Sequence, residues 1–79
     1  MAKRKFAPPD NNDRANWAEE ALMVFTATTG GQLHLERDDM VADLLCDLGH
    51  YCDRHKLDFD ALVERAKRNW HHEQKHPLG

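Results

Sequence analysis

DDMVADLLCDLGHYCDRHKLDFDALVERAKRNW, residues 38–70, is the stretch that decides the fold of this 79-residue chain. Apolar side chains recur in it three and four positions apart, in two runs separated by a short polar segment. That spacing places each run on one face of an α-helix. The stretch therefore predicts a helical hairpin at about 38–55 and 58–75, with two apolar stripes: Met40, Val41, Leu44, Leu45, Leu48 and Cys52, then Phe59, Leu62, Val63, Ala66 and Trp70.

A first helix is predicted upstream of the hairpin. It begins after Asn12 or Asp13, because either side chain can accept hydrogen bonds from the unpaired amides of a first turn. Gly30 ends it, because glycine readily adopts the left-handed conformation of a helix C-cap. The apolar positions of this helix recur at helical spacing and are Trp17, Ala21, Leu22, Phe25 and Thr28.

Three helices with short connections predict an all-α protein, a small three-helix bundle. Residues 1–11 are predicted to form a flexible N-terminal tail, because Pro8 and Pro9 block a helix there. Residues 12–76 are predicted to form a single helical domain. The leucines of the loop at 32–37 are expected to pack on the core of this domain.

The apolar stripes account for nearly every large apolar residue, so little apolar surface is expected to remain for a ligand pocket. Gly49 lies inside the second helix, where glycine costs about 1 kcal/mol against alanine. Close approach of another helix, from the same chain or from a second copy, would explain it. The residues expected to carry the packing are Trp17, Leu45, Leu48, Gly49, Phe59 and Trp70.

Charge and cysteine content restrict the class of protein. The formal net charge of -3 gives no overall basic field for nucleic acid, and the three charges of Lys3-Arg4-Lys5 would make only a weak, salt-sensitive contact. Cys46 and Cys52 would point about 240° apart on one helix and cannot bridge. We expect a cytoplasmic protein without a membrane partner. The thiols are predicted to be free, and the sequence shows neither a signal peptide nor an apolar run of membrane-spanning length.

Residues 39–70 resemble the MazG-like all-α nucleotide pyrophosphohydrolases. The family pattern D-[LV]-L-x-x-L corresponds to residues 43–48, its turn ending in aspartate to Leu57-Asp58, and its L-x-x-x-x-x-x-N helix to residues 62–69. Glu19-Glu20 on the first helix is similar to the start of the family motif E-E-x-x-E. The resemblance implies an all-α assembly of several chains.

The same resemblance implies a divalent metal site, with Mg²⁺ or Mn²⁺ held by carboxylates and bridging nucleotide phosphates. The chain departs from the family at two ligand positions: Met23 replaces the third glutamate of E-E-x-x-E, and Met40 replaces the glutamate of E-x-x-D. The carboxylates left to carry the metal are those of Glu19, Glu20, Asp39 and Asp43.

A polar stripe on the second helix is the other candidate site. Asp39, Asp43 and Asp47 recur four residues apart, and His50 and Arg54 extend the same face. Such a face is either plain solvated surface or an acidic surface that binds a basic patch of a protein partner. We expect the partner-binding residues to be Asp39, Asp43, Asp47, Gly49 and His50.

Two functions follow from these observations. The first is a small cytoplasmic helical module for protein–protein interaction, without catalytic residues or a cofactor, which self-associates through the hairpin. As an expectation about class that no single residue specifies, such a module would be an adaptor or an inhibitor from a phage or a mobile element. The second is a MazG-like metal-dependent nucleoside triphosphate pyrophosphohydrolase.

Overall fold

The computed structural model describes residues 8–78, which fold into three α-helices with no strand among them. The helices are α1 (Asn11–Thr29), α2 (Arg37–Arg54) and α3 (Phe59–Lys75). The predicted all-α fold is confirmed, and both hairpin helices lie within four residues of their expected ends. Most of the predicted flexible tail, residues 1–7, lies outside the described residues.

Helix α1 begins earlier than expected, because Asp10 is its N-cap. The Asp10 carboxylate accepts a hydrogen bond from the Asp13 amide at 2.9 Å, and the Asp13 carboxylate accepts one from the Asp10 amide at 3.1 Å. This reciprocal capping box pairs two backbone donors that would otherwise face solvent. Asn11, assigned to the tail from sequence, is therefore helical.

The corner between α1 and α2 is built from small residues. Gly30 has φ +87 and its amide bonds the Thr26 carbonyl at 2.8 Å, which confirms the predicted glycine cap. The following Gly31 lies so close to Met40 that a Cβ there would be 2.6 Å from the Met40 sulfur. Thr26 and Met40 are both buried at this corner. A side chain at residue 31 would therefore require the end of the Met40 side chain to move.

The two leucines of the connecting loop differ in their burial. Leu33 is buried, as expected, but Leu35 is 77% exposed and the expectation that it packs on the core was wrong. The carbonyl of Gln32 accepts hydrogen bonds from the amides of Leu35 and Glu36. This tight turn leads directly into α2 and leaves the Leu35 side chain pointing away from the helices.

The turn of the hairpin is a Schellman motif followed by a helix cap. The Leu57 amide bonds the Cys52 carbonyl at 2.8 Å, and the Lys56 amide bonds the Asp53 carbonyl at 3.3 Å. Lys56 has φ 56, the left-handed conformation that this motif requires and that glycine adopts most easily. Asp58 then caps α3 by accepting a bond from the Ala61 amide at 3.0 Å.

The close neighbour of Gly49 is Phe59 of the same chain. A Cβ at position 49 would lie 3.4 Å from the Phe59 ring, which is an ordinary van der Waals contact. The first residue of α3 therefore approaches the backbone of α2 at Gly49, and the space there would also accept an alanine. The neighbouring helix that the sequence predicted for Gly49 is present within the same chain.

A polar contact joins the start of α1 to the end of α3. The Asn11 amide group donates to the Glu73 carbonyl at 2.9 Å, and the Arg14 guanidinium donates to the Pro77 carbonyl at 2.8 Å. The Arg14 Nε also lies 3.6 Å from a carboxylate oxygen of Glu73. We call these four residues the polar clasp. Together with the Gly31–Met40 and Gly49–Phe59 contacts, it is one of three junctions between helices, each close to a helix end.

Between these junctions the helices bury little apolar surface. Among the described residues, the buried hydrophobic side chains are Leu33, Met40 and Cys52, and none is completely enclosed. The expectation that little apolar surface would be left over was therefore wrong. The large apolar side chains left exposed include four of the expected packing residues: Trp17, Leu45, Leu48 and Trp70.

None of the three described helices is long and apolar enough to span a membrane.

The two left-handed positions allow a paired test of this fold. Replacing Lys56 by glycine should raise the free energy of unfolding by about 1 kcal/mol, because it relieves strain at φ 56. Replacing Gly30 by alanine should lower it by about 1 kcal/mol, because φ +87 disfavours a side chain although the space there is open.

Urea unfolding at one fixed chain concentration measures both changes, since association would otherwise shift the apparent stability. Shifts of the same sign in the two variants would contradict the assigned backbone conformations.

Candidate functional site

Helix α1 presents an apolar face that the described residues, 8–78, leave largely exposed. Trp17, Ala21, Val24 and Thr28 recur at intervals of four, three and four residues, so they share one side of the helix. Trp17 lies nine residues from the buried Thr26, which places this side opposite the packed one. Trp17 is 57% exposed and Val24 is 68% exposed. We call these four residues the outer face of α1.

The one polar group on the outer face is already paired. The Thr28 hydroxyl donates a hydrogen bond to the Val24 carbonyl at 2.9 Å, within the same helix. Because this donor is satisfied, Thr28 can be covered by an apolar surface without the cost of burying an unpaired hydroxyl. The outer face is therefore suited to burial along its whole length.

The hairpin has a second uncovered apolar surface. On α2, Val41, Leu45 and Leu48 share a side with Cys52, but only Cys52, next to the turn, is buried. On α3, Phe59 is partly buried near the turn, whereas Ala66 and Trp70 further along are exposed. The packing faces of the two helices are therefore covered where the hairpin turns and uncovered beyond it. We call the exposed part the hairpin groove: Val41, Leu45, Leu48, Ala66 and Trp70.

The predicted acidic stripe lies on the surface of α2. Asp39, Asp43, Asp47 and His50 are all exposed, on the side of the helix away from Val41 and Leu45. In the described part of the chain, none of these three carboxylates has an ion pair or accepts a hydrogen bond. The stripe is thus an array of negative charge that is free to meet cations from outside the chain.

An open cleft of about 530 Å³ lies beside this stripe, where α2 meets the start of α3. Gly49 and His50, two of the predicted partner-binding residues, line it. Three carboxylates outside the predicted partner-binding set also line it, those of Asp53, Asp58 and Asp60. The sequence singled out Asp58 only as the aspartate that ends the turn before α3. The cleft therefore extends the negative surface of the acidic stripe to the turn of the hairpin.

The carboxylates of the metal-site hypothesis are exposed and lie on two helices, Glu19 and Glu20 on α1 and Asp39 and Asp43 on α2. Within residues 8–78, no three or more His, Cys, Asp or Glu side chains lie close enough together to hold a metal ion. A four-carboxylate site built from these residues would therefore need ligands from more than one chain.

The two cysteines have different surroundings. Both are free thiols; Cys52 is buried against the hairpin turn, whereas Cys46 is exposed and lines the cleft. The expectation that both are core thiols holds for Cys52 and was wrong for Cys46. Cys46 lies on the Asp39 side of α2, where sequence spacing alone could have placed it.

No protein-family model matches the chain, and no curated protein and no solved structure was found to be similar to it.

Two neighbouring aspartates separate the metal hypothesis from a purely electrostatic one. If Asp43 is a metal ligand, Asp43→Ala should abolish Mg²⁺-dependent release of pyrophosphate from nucleoside triphosphates, while Asp47→Ala should retain it. Both side chains are exposed on one face of α2 and carry the same charge, so Asp47→Ala controls for the loss of negative charge. An Asp43→Ala protein as active as the wild type would refute the hypothesis.

Proposed function

We propose that this chain is a small helical module for protein–protein interaction that works as a homo-oligomer. The observation that carries the proposal is the outer face of α1, which is apolar, lacks a partner among the described residues and lies opposite the face that packs on α2. A helix that is apolar on opposite sides normally lies between two other elements. Among residues 8–78, only one of those two sides is occupied.

The size of the chain supports the same proposal. Small domains bury a low fraction of their surface and commonly gain stability by association. Here the buried hydrophobic side chains of residues 8–78 number three, and large apolar side chains remain exposed on all three helices. Contiguous exposed apolar patches of this kind mark interaction sites on soluble proteins. Association would give the chain the core that a single copy lacks.

The acidic stripe would remain available in such an oligomer, because it lies on the side of α2 away from the hairpin groove. We propose that it binds a basic patch of a different protein, as an adaptor or an inhibitor would. Its unpaired carboxylates would speed the encounter with a positively charged partner. The exposed free thiol of Cys46 is suited to the reducing cytoplasm, where we place the protein.

The pyrophosphohydrolase alternative depends on the same association. Residues 8–78 of a single chain do not gather the four carboxylates, so a metal site built from them would have to form between copies. No observation on the described residues favours it over the interaction module, and it remains a hypothesis from sequence.

Two leucines of matched chemistry test self-association. Light scattering on the wild-type protein should give a mass that is a multiple of 9.2 kDa. Leu48→Ser, in the hairpin groove, should weaken assembly by about 1–2 kcal/mol, because it removes apolar area from the interface. That loss corresponds to a roughly tenfold higher dissociation constant. Leu35→Ser, on an exposed loop, should leave the mass unchanged.

Charge reversal provides a further control. The double variant Asp43→Lys/Asp47→Lys should keep both its helix content and the oligomer mass, since the acidic stripe lies outside the proposed interface. A wild-type protein that remains a 9.2 kDa monomer at high concentration would contradict the proposal.

A further inference from the structure

We infer that the outer face of α1 of one copy docks in the hairpin groove of a second copy, and that the exchange is reciprocal in a two-fold dimer. This inference rests on the proposed self-association and specifies which surfaces meet. Both surfaces are apolar, both are helical, and neither is covered within residues 8–78 of a single chain. Docking would place a fourth helix against the two helices of the hairpin.

The shapes of the two surfaces fit this arrangement. The outer face of α1 alternates large and small side chains, with Ala21 between Trp17 and Val24 along one side of the helix. The residues of the hairpin groove lie beyond the Gly49–Phe59 contact, and Trp70 among them is 57% exposed. A helix with a small residue at its centre can approach such a groove closely. The tryptophans supply the large anchoring surfaces that dominate interface energetics.

The charges at the borders are complementary. Glu20 lies one helical turn from Trp17, beside the outer face, and Lys67 lies one turn from Trp70, beside the groove. Both side chains are exposed. Among residues 8–78, the Lys67 ammonium has one ion pair, with the exposed Glu64 of its own helix at 3.4 Å, so it can exchange that partner at little cost. Docking brings the Glu20 carboxylate of one copy against the Lys67 ammonium of the other.

The area is close to what a dimer requires. Docking would cover the exposed parts of Trp17, Val24 and Trp70 and of the groove residues of α2. The solvent-accessible surface buried would be on the order of 600 Å² per copy, against roughly 800 Å² per partner in a standard interface. The polar rim supplies the remainder. A second copy is therefore a sufficient occupant for both surfaces.

Cysteine cross-linking tests the pairing. In a Cys46→Ser background, which removes the exposed native thiol, chains carrying Ala21→Cys are mixed with tagged chains carrying Ala66→Cys and treated with a short bis-maleimide. The expected product is the mixed dimer, with little product from either variant alone. Glu19→Cys is the matched control, because residue 19 is exposed but lies on the opposite side of α1 from Ala21. It should give no mixed dimer.

The oligomer mass and the cross-linking pattern together distinguish failure of this pairing from failure of the proposed self-association. Cross-linking of Ala21→Cys chains with each other, in a protein whose mass is that of an oligomer, would overturn the pairing and leave self-association intact. A monomeric mass would remove both. Absence of any cross-link in an oligomer would also overturn the pairing.

A charge exchange gives an independent readout that needs no new thiol. Glu20→Lys should raise the dimer dissociation constant several-fold, since it places like charges together at the border. Glu20→Lys combined with Lys67→Glu should restore it towards the wild-type value. No recovery in the double variant would contradict the proposed docking.

Discussion

The three junctions near the helix ends are the constraint on which the rest of this structure depends. Gly31 against Met40, Gly49 against Phe59, and the polar clasp between Asn11, Arg14, Glu73 and Pro77 fix where each helix meets the next. A side chain at Gly31 would require the end of the Met40 side chain to move, whereas one at Gly49 would make an ordinary contact with the Phe59 ring. Away from these junctions, large apolar side chains of all three helices stay exposed and are open to a partner.

Helix positions followed from local chemistry and were therefore predictable. The Gly30 cap, the Asp58 cap and the apolar spacing of α2 and α3 depend on residues close together in sequence. The capping box at Asp10 was missed because Asn11, Asn12 and Asp13 offered competing caps, and only the reciprocal pairing with Asp13 decides among them. Burial was harder, because periodicity identifies an apolar face but does not say whether its partner belongs to the same chain.

The candidate site shows both what periodicity predicts and what it does not. Asp39, Asp43, Asp47 and His50 share a face because of their spacing alone, and the structure places them together on the surface of α2. Trp17 and Trp70 fit their helical stripes equally well, yet both are exposed, and Trp17 lies on the side of α1 away from the buried Thr26. The polar clasp joins residues about 60 positions apart, and no pattern in the sequence indicates it.

The polar clasp also determines which helix unfolds first. Beyond the corner at Gly31, α1 is held mainly by exposed hydrogen bonds and by an Arg14–Glu73 ion pair, and such a pair is worth about 0–1 kcal/mol. The hairpin, by contrast, is closed by a local turn with its own cap. Amide protons of α1 should therefore exchange with solvent through partial opening well before those of α2. In this partial opening α1 is a separate, weakly held unit, and the hairpin of α2 and α3 stays folded.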